Sequence, residues 1–219
     1  MCFSAPASFV AGAALSAVGV VTIRMASRRS ELPFAAIPLL FGMQQVIEGM
    51  IWLSFHGGSA LPNTALTLIY SMFSHVLWPI FVPFAVARLE TVPWRKTILA
   101  IFQFAGVVVG LYLLYYILEF PVTSRVLGKH IVYESPHFYI VSVMVIYLIA
   151  TCASSLVSSH RLIQAFGAFA LAAFLSAYAI HAATLVSVWC FFAAILSFMI
   201  YLYFRRTGVP SPPSASQLA

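Results

Sequence analysis

The chain has 219 residues, 63% of them hydrophobic and only 7% charged, with a net charge of +6. A water-soluble domain carries about 25% charged residues, so a soluble globule is excluded and most of the exterior has to face lipid. The basic residues lie between apolar runs rather than on one face, which excludes a nucleic-acid footprint.

Seven apolar spans are read in chain order, making an all-α, polytopic membrane protein, a seven-transmembrane-helix bundle. The first covers residues 4–25. Ser4 is a good N-cap and Pro6 suits a first turn. Ser8, Gly12 and Ser16 recur every four residues, a small-residue stripe on which another helix can pack closely. Met1 to Pro6 has no basic n-region, so no cleaved signal peptide is expected.

The second span, 33–55, has Pro38 inside it, where a kink is expected. It also carries Gln44, Gln45, Glu48 and Trp52, placing two amides and a carboxylate in an apolar run. At 3.6 residues per turn Gln44, Glu48 and Trp52 share a face, with Gln45 beside it. Ionisable groups at membrane depth are costly and are functional suspects by default. His56 to Asn63 breaks the helix.

The third span, 64–87, holds Ser71, His75 and Pro79 at four-residue spacing, with Trp78 alongside and Pro83 after it. The fourth, 97–118, contains Gly106 and Gly110, a GxxxG helix-contact pattern. Glu119 to Pro136 reads as the longest and most polar connection. The fifth span is 137–157. The stretch from Leu162 to Phe204 would reach roughly 65 Å as one helix, about twice the hydrocarbon core. It must fold back, giving spans 162–182 and 184–204 with a turn near Ala182 to Leu185. The tail 207–219, rich in Pro and Ser, is expected to be disordered. Residues 1–206 thus form one transmembrane domain.

Nine of the eleven Lys and Arg fall on one side of this arrangement, and only Arg125 and Lys129 on the other. Basic residues favour cytoplasmic loops, so the N-terminus is placed outside and the C-terminus in the cytoplasm. This orientation brings Glu48, His75, Tyr178 and His181 toward one level of the membrane, with Ser187, Trp189 and Cys190 in the outer half of the last span.

The expected site is therefore an outward-facing polar pocket lined by Gln44, Gln45, Glu48, Trp52, Ser71, His75, Trp78, Tyr178 and His181. Glu48, His75 and His181 have the right donor number for a divalent metal such as zinc or iron, although no HxxxH or HExxH fixes two ligands on one helix. The bland alternative is a neutral Glu48 hydrogen-bonded to a neighbouring helix as structural glue, with His75 bonding between helices. Cys2 and Cys190 both fall outside, where a disulfide can form. Cys152 reads as a small packing residue, and the tyrosines near span ends as an interfacial belt. Walker, GxGxxG and GxSxG motifs are missing.

The opening Met1-Cys2-Phe3-Ser4-Ala5, the segments Glu31-Leu32-Pro33-Phe34 and Gln45-Val46-Ile47-Glu48-Gly49 with Trp52, and Ser187-Val188-Trp189-Cys190-Phe191 resemble an uncharacterised family of bacterial multi-pass membrane proteins, a domain family of unknown function. The resemblance covers most of the chain. It implies a bacterial inner membrane and no established activity. It also implies that relatives can carry His at the position of Gln44, where a His-x-x-x-Glu pair would suit a metal; this chain departs from that. A fainter resemblance is to intramembrane zinc hydrolases of the alkaline ceramidase type, carried by Ser71 and His75. The paired late histidines of that group are missing, since only His181 is present.

The chain is accordingly expected to bind a metal or small ligand in the lipid bilayer, or to serve as an accessory subunit of a membrane complex. A metal-dependent hydrolase and a small-molecule transporter are the alternatives. Nucleic acid is not expected as a partner.

Overall fold

The computed structural model describes residues 4–57, 61–128, 130–135, 137–181 and 185–207, with backbone alone at 180–191 and 193–195. Eight helices and one β-hairpin are found among them. They are α1 (Ala5–Met25), α2 (Leu32–Ala35), α3 (Ile37–Ser54), α4 (Asn63–Leu89), α5 (Pro93–Glu119), β1 (Thr123–Leu127), β2 (His130–Glu134), α6 (Val141–Leu156), α7 (Arg161–His181) and α8 (Leu185–Thr207). Five helical stretches are long and apolar enough to cross a membrane: α1, Leu32–Ser54, α4, α5 and most of α7, while α6 is shorter. Large apolar side chains cover the outside, among them Phe104 at 71% exposed and Val141 at 67%. In water such a surface would drive aggregation; against lipid tails it costs nothing. The chain is an integral membrane protein.

The small-residue stripe does what its spacing suggests. α1 lies against α3 with Gly12 and Gly42 at the crossing. A methyl group on Gly12 would come within 2.7 Å of Val46 Cγ2. Ser4 caps α1, its Oγ accepting from the Ala7 N–H at 3.4 Å. The helix break expected at Pro38 falls two residues earlier, at Ala36, which separates α2 from α3 and leaves Pro38 in the first turn of α3. Thr22 donates to the Ala35 carbonyl at 2.7 Å, fastening α1 to this break.

The prolines of α4 shape its middle. Residues Met72–Leu77 form a π-helical turn immediately before Trp78 and Pro79. Pro79 has no N–H to return to the preceding turn, and the Ser74 carbonyl there accepts the Tyr147 hydroxyl of α6 instead, at 2.5 Å. Pro83 in turn removes the usual i+4 donor for the Pro79 carbonyl, and the backbone of Gly106 on α5 presses against that oxygen. Gly110 packs on Ile80 one turn away. The GxxxG of α5 is thus a seat for a proline-disturbed helix, a close approach that only glycine allows. A second π-turn, Ile149–Ala153, lies in α6.

The connection 119–136 departs from a simple loop. It contains the antiparallel hairpin β1–β2, with Thr123 opposite Glu134 and Leu127 opposite His130. Gly128 has φ +61°, the left-handed geometry that two-residue hairpin turns require. Arg125 and Glu134 pair across the exposed face, while Ile131, Val132 and Tyr133 are buried. The all-helical expectation is corrected to that extent. The helix expected over 137–157, α6, starts later, at Val141, and His137 before it adopts φ +67°. Tyr116 stacks on its ring at 3.6 Å and the Tyr112 hydroxyl meets its Nδ1 at 3.0 Å.

Helix ends meet at two levels. At one, Ser124 donates to Asn63 Oδ1 at 2.9 Å and Asn63 donates to Ser54 Oγ at 2.9 Å. At the other, Glu90 accepts the Ser159 N–H at 2.7 Å, and Arg95 donates to the Val157 and Ser158 carbonyls at 2.9 and 2.6 Å. The expected turn near Ala182 to Leu185 lies between the end of α7 and the start of α8, and residues 182–184 are outside the described residues. So is the tail from 208 onward; Thr207, assigned to that tail from sequence, ends α8.

Candidate functional site: a buried polar centre between α3, α4, α6 and the hairpin

The α3 motif is buried throughout its polar length. Gln44, Gln45 and Glu48 are each 0% exposed, and Trp52 is also buried. The 100° step between successive helical residues sends the two amides to different neighbours. Gln44 Oε1 accepts the indole N–H of Trp78 on α4 at 2.8 Å. Phe41, one turn earlier, stacks on the same indole at 3.9 Å. Gln44 and Trp78 therefore clamp α3 to α4. Neither atom of the Gln45 amide has a hydrogen-bond partner among the described residues, and the same holds for Trp52 Nε1. Buried polar groups are nearly always paired, so these positions are the unusual ones.

On α4, Ser71 just before the π-turn and Ser74 and His75 within it are all buried. Ser74 Oγ donates to the Tyr70 carbonyl at 3.1 Å and lies 2.6 Å from His75 Nδ1. Nδ1 is thus engaged by Ser74 in either tautomer of the ring, which leaves Nε2 as its other nitrogen. His75 Nε2 and Ser71 Oγ have no hydrogen-bond partner among the described residues. Phe138 covers the imidazole at 4.2 Å between ring centres.

Residues that the sequence reading passed over complete the centre. Tyr133 of β2 donates from its hydroxyl to Glu48 Oε1 at 3.4 Å, and its ring stacks on Tyr70 at 4.3 Å, nearly parallel. Tyr147 reaches the Ser74 carbonyl from α6. Tyr133 was hidden by its place in a polar connection. The short run Ile131-Val132-Tyr133 was the available signal, since β-branched and aromatic residues favour strands. Tyr147 has no distinguishing neighbour in sequence.

Other expected members stand apart. Tyr178 is 47% exposed and stacks along its own helix on Phe174; it does not line the buried centre, and the expectation is corrected. It lies one turn beyond Phe174, which is itself buried. The side chain of His181 is outside the described residues, as are Cys2 and the side chain of Cys190, so the proposed metal triad and disulfide are not described. Among the described residues no three His, Cys, Asp or Glu side chains gather as a metal-binding group. Glu48 on α3 and His75 on α4 are both fully buried.

An open cavity of about 540 Å³ lies at the hairpin. Thr123, Arg125, Val132, Tyr133, Ser135 and Tyr139 are among its lining. Tyr133 thus lines that cavity and also bonds Glu48. A family model, described as a family of unknown function (DUF6629), matches residues 1–215. The chain belongs to this family. No curated protein and no solved structure matches it. Family membership assigns no activity, so the site has to be read from its own chemistry.

Proposed function

We propose that the chain is a seven-span protein of a bacterial inner membrane whose polar centre takes up a small polar ligand or a divalent cation from the outer face. Residues 1–206 form its one transmembrane domain, with the N-terminus outside and the C-terminus in the cytoplasm. The nine-to-two division of basic residues supports this orientation, and the resemblance of the motifs supports the bacterial membrane.

The observation that carries the reading is Tyr133. One residue connects the hairpin cavity to the carboxylate of Glu48. The amide of Gln45 on α3 and the Nε2 of His75 on α4 are also buried and have no hydrogen-bond partner among the described residues. Carboxylate, amide and imidazole together suit a ligand with both donor and acceptor groups, or a cation wanting oxygen and nitrogen ligands. Gln44 and Trp78 act as the frame that holds α3 in register.

The test is elemental analysis and native mass spectrometry of the purified full chain, beside Glu48→Gln and Tyr133→Phe. The expected result is a bound metal or small mass that both variants lose while remaining folded. A wild-type protein carrying nothing, and releasing nothing on denaturation, would overturn the reading.

A further inference from the structure

The end of the molecule opposite the hairpin holds a second cavity, of about 440 Å³. It lies where α1 ends, α2 begins, α7 begins and α8 ends, at the level where the apolar spans give way to polar chain. Its size is within the range of small-molecule sites, about 300–1,000 Å³. The polar lining is Ser27, Arg28, Glu31, His160 and Thr207, and the apolar lining is Met25 and Phe204, with Tyr203 between. The apolar wall faces the spans and the polar wall faces the water-exposed loops, so the cavity is amphipathic in the same sense as a lipid.

The charges favour an anion. Glu31 is the one carboxylate in the lining, and its Oε2 is engaged by the backbone N–H groups of Ser27 and Arg28 at 2.8 and 3.1 Å. These bonds fix the turn 27–31 and hold Arg28 at the cavity. The Arg28 guanidinium makes no ion pair among the described residues, with Glu31 or any other acid. Glu90, bonded to Ser159 next to His160, is committed to backbone N–H groups of Ser159, Thr91 and Val92. On the basic side, Arg24, Arg29, Arg161, Arg205 and Arg206 flank the lining within the adjoining turns. His160 packs edge-on to Tyr203 at 5.3 Å, its imidazole forming part of the same wall.

We propose that this cavity holds the phosphate of an anionic phospholipid headgroup. Arg28 supplies the forked donor that suits phosphate oxygens, Ser27 and His160 add hydrogen bonds, and Met25 and Phe204 receive the start of the acyl region. Basic pockets between helix ends at a membrane surface recognise such headgroups by the same physics.

The experiment is native mass spectrometry of the delipidated full chain in detergent, titrated with phosphatidylglycerol, phosphatidylcholine or inorganic phosphate. One phosphatidylglycerol is expected to bind and to outlast phosphatidylcholine on activation. Arg28→Gln is expected to weaken it about fivefold, and Arg29→Gln, outside the lining, to weaken it less. Ser27→Asp, which places a negative charge in the same wall, is a second variant in case the first is poorly folded. Equal affinity in Arg28→Gln and Arg29→Gln, or equal retention of the zwitterionic lipid, would overturn the proposal. Displacement of phosphatidylglycerol by equimolar inorganic phosphate would show a free-anion site and overturn the lipid assignment.

Discussion

Tyr133 and Glu48 are 85 residues apart and meet through a 3.4 Å hydrogen bond in the buried interior. One belongs to the hairpin and the other to the second apolar stretch. The bond therefore ties the extramembrane connection to the centre of the bundle. Tyr133→Phe removes the hydroxyl and keeps the stacking on Tyr70. The expected loss is about 1–2 kcal/mol, since a bond to a carboxyl is worth more than a neutral pair. In a double-mutant cycle with Glu48→Gln, a coupling above about 0.5 kcal/mol is expected from unfolding curves in detergent. Strict additivity would mean the two groups do not interact.

Gln44 and Trp78 are expected to behave as a mutual clamp. Gln44→Leu leaves the indole N–H buried without its acceptor, at a cost of about 1–3 kcal/mol. Combining Gln44→Leu with Trp78→Phe should recover part of that loss, because both polar groups are then gone. Ligand or metal content should fall less in this pair than in Glu48→Gln. The comparison of melting temperature with bound metal in the four proteins checks both statements.

Gly106 is expected to be intolerant of any side chain. Its backbone lies against the Pro79 carbonyl, so even Gly106→Ala forces α5 away from α4. A loss of about 1–3 kcal/mol is expected for the overpacked contact. Gly128→Ala, by contrast, meets nothing within 4 Å but sits at φ +61°, so its smaller cost is backbone strain alone. Thermal unfolding of the two variants separates these causes.

Glu90 is expected to give a pH dependence at the arginine-rich end. Burial works to raise its pKa, but the N–H groups of Val92, Ser159 and Thr91 together outweigh it and hold the carboxyl below its ordinary value of 4.5. A lowered pKa in the folded state means that its stabilisation is fully present above that value. It is lost as pH falls through the folded-state pKa. Wild-type melting temperature should therefore drop on acidification below about pH 4.5, and Glu90→Gln should flatten that drop. An unchanged acid profile in the variant would place the dependence elsewhere.

Topology can be read with a membrane-impermeant maleimide in intact cells. Glu134→Cys, on the exposed face of the hairpin, is expected to label from outside. Ser159→Cys, beside Glu90, is expected to label only after lysis. The opposite pattern would invert the orientation.

The sequence by itself determined the membrane character and the small-residue seams, because these depend on apolar length and on local spacing. Ser8, Gly12, Gly106 and Gly110 announce close packing whichever helix opposes them. It also singled out Glu48 and His75, since polar groups in apolar runs stand out without any knowledge of neighbours. Only the tertiary structure decided that Gln44 is spent on Trp78 while Gln45 is not, because adjacent helical residues point 100° apart and sequence does not say what lies in either direction. Tyr133 and Tyr147 entered the centre for the same reason: a hairpin strand and a distant helix supply partners whose proximity arises from long-range packing. Tyr178 stays 47% exposed although Phe174, one turn earlier on α7, is buried, and only the packing around that end of the helix decides this.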